Sequence, residues 1–399
     1  MSFELVVILY FVLIIVRLYL DIMQVGYVSE RLQGQPVLME QERYMEAGRY
    51  EIASKRLSIV TLLAEGALFL FWIAGGLSWL EEAVEPNTLL SMVLFFLLFL
   101  GVNYVVMLPF EIYRIFEIEK RFGFSRVTPG LFVVDELKKI ALTVIFGGAM
   151  LAAIFWIMSH LPYWWAWGAL VLVVLLFSIN LIYPLYIAPL FNTFKPLPEG
   201  ELSKRINDLL RAHGLDSGGL FVVDASKRDS RLNAYFAGFG RVKRVVLYDT
   251  LIEKLTVDEV VAVLGHELGH LRNRDLWVRL VTSSIVVIGL FVLSGNLPDK
   301  FFMSVGVAPL PSAKLALIWL LTQPLMFMIM PLLNRLYRHA EFAADTHGAA
   351  LAGAEILASA LKKLGYENKK FPYTHPLYEA IYYSHPSLLR RLEVLGHAS

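Results

Sequence analysis

Two histidines and a glutamate stand together in the chain as His266-Glu267-Leu268-Gly269-His270. On an α-helix, residues four apart lie on one face, so the two imidazoles can share a metal ion. Glu267 lies about 100° round the same helix. From there its carboxylate can reach a water beside the metal without ligating the metal, which is the placement of a general base. The plain alternative is a core helix whose histidines are merely packed. Two histidines are also one ligand short of a catalytic zinc site, so a further donor must come from elsewhere.

The flanking residues favour a helix. Thr256-Val257-Asp258-Glu259 has the form of a capping box, and the run Val260 to Leu264 is apolar enough to be buried. A second helical stretch, Arg335 to Asp345, offers the missing donor. If it is helical, Arg338, Glu341 and Asp345 share one face at i, i+3 and i+7. Glu341 would complete a His-His-Glu zinc site, one ion per chain, leaving the fourth position for water. Asp345, one turn on, can accept a hydrogen bond from a ligating imidazole and fix its tautomer. His339 and His347 compete on composition, but neither shares that face. Arg338 is either a cation of the site or a solvated charge just past an apolar span. The chain has no cysteine, so thiolate ligands, disulfides and cysteine nucleophiles are excluded.

The elements that must carry these residues lie in a membrane. The chain of 399 residues is 57% hydrophobic with a mean hydropathy of +0.58. Apolar runs near 3–23, 57–79, 88–110, 140–159, 163–190, 276–296 and 314–337 are long enough to span a bilayer as helices. The first is preceded by Glu4 rather than a basic stretch and lacks a small-residue cleavage site, so it is read as a retained helix. Lys and Arg concentrate in 24–56 and 111–139, whereas 80–87 and 160–162 carry none. The positive-inside rule then sets the N-terminus outside and both 191–275 and 338–399 in the cytoplasm. The expected division is 1–190 with five membrane helices, 191–275 with a short sheet and the histidine helix, 276–337 with two membrane helices, and 338–399 with the remaining ligand. Within the spans, Arg17, Glu65, Asn103 and Asn180 are costly unless they face protein or water. Arg17 could instead snorkel to an interface, while Glu65 points to an internal polar space. A formal net charge of +1 without a long basic run gives nucleic acid no footing as a partner.

Four blocks together resemble one family. They are Glu119-Lys-Arg-Phe-Gly-Phe-Ser125 with Thr128-Pro-Gly-Leu-Phe132 and Asp135, Leu232 to Gly240 running on through Val246-Leu-Tyr-Asp-Thr-Leu251, the histidine helix, and Arg338 to Asp345. A later His385-Pro386-Ser387 segment, running to Arg391, joins them. The chain resembles the type I CAAX prenyl endoproteases, integral-membrane zinc metallopeptidases. That resemblance implies seven membrane helices enclosing a water-filled chamber, with a small α+β zincin-like catalytic domain. It implies zinc on His266, His270 and Glu341, with Glu267 as base. It further implies that the strand at Asn233 and Ala234 pairs with an extended peptide. His385 would stabilise the transition state or act as a gate, unless it merely starts a helix with Pro386 at the first position. The substrate would be a prenylated protein or peptide ending in C-a-a-X, losing its last three residues in a site on the cytoplasmic side, with membrane lipid around it. A broader quality-control metalloprotease of the HtpX type fits the same site. So, from another class, does a silent zinc-containing scaffold or lipid-binding chamber, though it would not need Glu267. A transporter lacks the inverted repeat and broken helices expected of one.

Overall fold

The computed structural model describes residues 3–238 and 242–397; Phe239 and Gly240 of the second family block lie outside them. Among the described residues, seven helices are long and apolar enough to cross a membrane. They are Phe3–Arg31, Gln41–Val84, Leu89–Glu119, Pro129–His160, Trp164–Phe191, Asp275–Gly295 and Pro311–Ala352. Each contains or nearly coincides with an expected span. Several run on into polar sequence, because main-chain hydrogen bonding continues where hydropathy stops. The last helix passes unbroken through Pro324 and Pro331 and so carries Arg338, Glu341 and Asp345 on the same rod as a membrane span. Helix starts follow local chemistry. Thr88 exchanges bonds with Ser91, and the Thr128 hydroxyl accepts from the Leu131 amide ahead of Pro129 at the first helical position.

Arg17 does not snorkel. It pairs inward with Glu65 at 3.5 Å, giving both costly groups a partner between the first two helices. Asn103 donates to the Phe99 carbonyl at 2.7 Å and Asn180 to that of Leu176 at the same distance, so neither amide is left unsatisfied. An aromatic core that includes Tyr10, Phe69, Trp72, Phe95, Phe99 and Phe155 packs together residues of the first four membrane helices.

Between the fifth and sixth membrane helices the chain builds a four-stranded sheet, with β1 Phe194–Pro196, β2 Asp216–Val223, β3 Ala234–Ala237 and β4 Val242–Tyr248. The order is β1-β2-β4-β3, parallel between β2 and β4 and antiparallel elsewhere, which leaves β3 at an edge. Helix Val257–Arg272 carries the two histidines. Its capping box forms as read: the Thr256 hydroxyl accepts from the Glu259 amide, and the Glu259 carboxylate accepts from the Thr256 amide at 2.8 Å. Buried Glu259 also takes Ser359 at 2.7 Å and Lys363 at 2.8 Å, tying this helix start to helix Ala354–Glu367.

Small residues bring the histidine helix against the last membrane helix. A Cβ on Gly269 would lie 2.7 Å from the Ala344 Cα, and one on Gly348 would lie 2.9 Å from the His266 nitrogen. Both are closer than real Cβ contacts. Glycine at these two positions therefore lets the backbones approach until Glu341 sits beneath both imidazoles.

Candidate metal centre

His266 Nε2 and His270 Nε2 are 3.2 Å apart, Glu341 Oε1 is 3.4 Å from His270 Nε2, and Glu341 Oε2 is 3.6 Å from His266 Nε2. Ligands about 2.0–2.1 Å from a tetrahedral zinc stand roughly 3.3–3.4 Å from one another, so this spacing fits one ion. The outer nitrogens are committed elsewhere. His266 Nδ1 lies 2.8 Å from Asp345 Oδ1, and His270 Nδ1 lies 2.8 Å from Asp275 Oδ2. Each carboxylate holds the proton on Nδ1 and turns the lone pair of Nε2 inward. Two lone pairs and the fully buried Glu341 carboxylate thus converge on one point. Among the described residues, neither Glu341 oxygen has a hydrogen bond of acceptable geometry, although His385 Nδ1 lies 2.9 Å from Oε1. Such a convergence is repulsive unless a cation sits at its centre. The residues fit a metal.

Glu267 projects into the same cavity but is not one of the three converging donors. Protein crowds its carboxyl, and this desolvation pushes the pKa above the ordinary glutamate range despite the opposing charges of His266 and His270. A carboxylate moved towards neutrality is a better match for proton transfer at working pH.

Two residues of the centre escaped the reading of the sequence. Arg391 sits behind His266, with Nε 2.8 Å from Asp345 Oδ2 and Nη2 2.6 Å from Asp345 Oδ1. Asp275 opens the next membrane helix, five residues past His270. Its only sequence signal is a carboxylate just beyond the motif. Arg338, by contrast, does not reach the centre. Its Nη1 donates to the carbonyls of Glu379 at 2.9 Å, Ala380 at 3.3 Å and Tyr383 at 2.5 Å. The expected role for Arg338 at the reacting carbonyl is therefore corrected. Carbonyls in the last turn of helix Pro376–Tyr382 and at its C-cap Tyr383 draw the guanidinium to themselves, as the negative end of a helix favours a cation.

His385 does face the cavity, with about half of its side chain exposed. The alternative that it starts a helix does not hold, because the following helix begins at Leu388 with Ser387 as its cap. His375-Pro376 plays that part instead: the His375 ring accepts from the Leu377 amide, and Pro376 is the first helical residue.

The cavity, about 860 Å³, runs from these groups along β3. The Asn233 carbonyl accepts from the Tyr248 amide at 3.1 Å, and Ala234 stands opposite Leu247. Antiparallel pairing alternates, so Ala234 and Phe236 turn their main-chain groups away from β4. The outward Ala234 amide donates to the Asn233 side-chain oxygen at 2.9 Å.

With this geometry in view, residues 24–193 match the family model "CAAX prenyl protease N-terminal, five membrane helices", and residues 196–399 match "Peptidase family M48". The chain belongs to peptidase family M48. It is 35% identical to the CAAX prenyl protease 1 homolog of Arabidopsis thaliana, over 90% of this chain and 88% of that one. It is 30% identical to CAAX prenyl protease 1 of Saccharomyces cerevisiae, over 91% and 88%. The crystal structure of S. mikatae Ste24p superposes with a TM-score of 0.88 at 28% identity, covering 99% of each chain. The fold is that of a multi-pass membrane metallopeptidase.

Membership in M48 gives the first sequence block a physical task. Glu119 takes Arg231 at 3.1 Å, and Asp135 takes Arg228 through both nitrogens at 2.8 and 2.9 Å. The two pairs pin the loop that leads into β3 to the third and fourth membrane helices. For this M48 centre, Asp275→Asn is expected to weaken metal affinity about 10–100-fold, since His270 loses the anion that orients it. Competition against a chromogenic chelator measures the change.

Proposed function

We propose that this peptidase is a zinc-dependent enzyme that removes the last three residues of prenylated C-a-a-X proteins or peptides, from a cavity opening towards the cytoplasm. The observation that carries the reading is Glu267, an uncommitted carboxylate beside a complete donor set and an open strand edge. A structural metal site needs the histidines but not this base, which weighs against a silent scaffold. The names of the relatives supply the substrate class, and the basic loops supply the side of the membrane.

A peptide laid along β3 would bond to the outward main-chain groups of Ala234 and Phe236 and bring its scissile carbonyl to the donor set. Zinc, when held by His266, His270 and Glu341, polarises that carbonyl and lowers the pKa of water to about 7. Glu267 takes one proton from the attacking water as the new C–O bond forms. His385 donates a hydrogen bond to the oxygen on which negative charge develops. Glu267 then passes its proton to the leaving nitrogen as the C–N bond breaks, giving a free carboxyl end and a tripeptide.

The test is hydrolysis of a farnesylated C-a-a-X peptide and its unprenylated twin by the purified protein in detergent. Chelator-sensitive cleavage three residues from the end, confined to the farnesylated peptide, is the expected result. Equal cleavage of both would instead identify a broader membrane peptidase. Cleavage of neither, with zinc bound, would overturn the reading in favour of a scaffold.

A further inference from the structure

We propose that Lys370 is the residue that receives the terminal carboxylate of the substrate and, by doing so, sets the direction in which the peptide lies on β3. The proposal rests on the C-terminal processing reading above. Among the described residues, the lysine and arginine side chains lining the cavity are Arg279, Lys370 and Arg391. Arg391 is committed to Asp345, and the Arg279 guanidinium lies over the Tyr337 ring at 4.9 Å. Lys370 alone among them has no hydrogen-bond, ion-pair or ring partner for its charged group among the described residues. Its neighbour Lys369 turns the other way and pairs with Glu46 at 2.7 Å.

Lys370 is open to the cavity, yet protein surrounds it closely enough that desolvation, with the charge of Arg391, lowers its pKa. An unpaired ammonium in such a place costs free energy, and an incoming anion recovers it.

Its position relative to the strand is fixed by Asn368. That side chain accepts from the Leu232 amide at 2.8 Å and donates to the Leu232 carbonyl at 3.2 Å. The loop bearing Lys370 is thereby stitched to the chain just before β3. A carboxylate held there points the C-terminus of the peptide towards Leu232, so the peptide runs antiparallel to β3. Three extended residues span up to about 10 Å. Lys370, the donor set and β3 line one cavity, so a short C-terminal stretch of peptide can lie between the scissile bond and the ammonium. Specificity for a free chain end follows: an amidated end would leave the ammonium unpaired.

The experiment measures binding of fluorescent farnesylated C-a-a-X peptide, as free acid and as C-terminal amide, to Glu267→Gln protein, which holds substrate uncut. The acid is expected to bind about tenfold tighter than the amide, the range of a hydrogen bond to a charged group. Lys370→Met, and independently the similarly long Lys370→Gln, should erase that ratio while leaving amide affinity and zinc content unchanged. Lys370→Arg should retain most of it. An acid-to-amide ratio near one in the parent protein, or an undiminished ratio in both neutral variants, overturns the proposal. Binding with the expected ratio but without cleavage by wild type would sink the processing reading and leave this one standing. Failure to bind either peptide overturns both.

Discussion

Replacing Glu267 with glutamine is expected to lower kcat for a cleaved peptide by about 10²–10⁴-fold, the range lost when a positioned acid–base group is removed. Zinc content should stay at one ion per chain. The separation of these effects follows from the geometry: the three converging donors are His266, His270 and Glu341, and Glu267 is not among them. Glutamine preserves shape and polarity but cannot accept the proton. The acid limb of kcat/KM should follow the Glu267 pKa, because only the ionised form is a base. Activity is present above that pKa and lost as pH falls through it. Stopped assays across pH, with metal analysis of each preparation, check both expectations. A glutamine variant cleaving at the wild-type rate would remove Glu267 from the reaction.

Arg391→Met is expected to injure the centre without touching a metal ligand. Asp345 is fully buried, and its two oxygens face Arg391 at 2.8 and 2.6 Å and His266 at 2.8 Å. Methionine fills part of the space but leaves the carboxylate underpaired. Breaking a buried pair on one side costs about 3–5 kcal/mol. The His266 ring loses its fixed support with it, so zinc affinity should fall about 10–100-fold. Lysine at this position keeps the charge but not the two-pronged contact, and should recover only part of the loss. Thermal unfolding in detergent and chelator competition read the two effects. An unchanged melting temperature with unchanged zinc affinity would show that Arg391 does not support the centre.

The legible part of this protein was the part governed by local pattern. The four-residue histidine spacing, the Thr256–Glu259 box and the apolar windows each depend on neighbours in sequence, and helix periodicity brought Glu341 and Asp345 onto one face before any tertiary contact was known. What stayed hidden depends on contacts across the fold. Arg391 meets Asp345 across 46 positions, and Arg228 meets Asp135 across 93. No periodicity signals such pairs. Arg338 misled for the same reason: it lies on the right face of the right helix, but helix Pro376–Tyr382 offers its carbonyls first. The two His-Pro pairs are alike in sequence, and only the packing makes His375 a cap and leaves His385 in the cavity.

The most direct test of the centre is zinc analysis with X-ray absorption at the zinc edge on the purified protein. One zinc per chain is expected, with imidazole scattering from two histidines, oxygen at about 2.0–2.2 Å and no sulfur. Glu341→Ala should strip or greatly weaken that signal. Zinc bound at full stoichiometry with an unaltered spectrum in Glu341→Ala, or a wild-type spectrum without imidazole, would contradict the assignment.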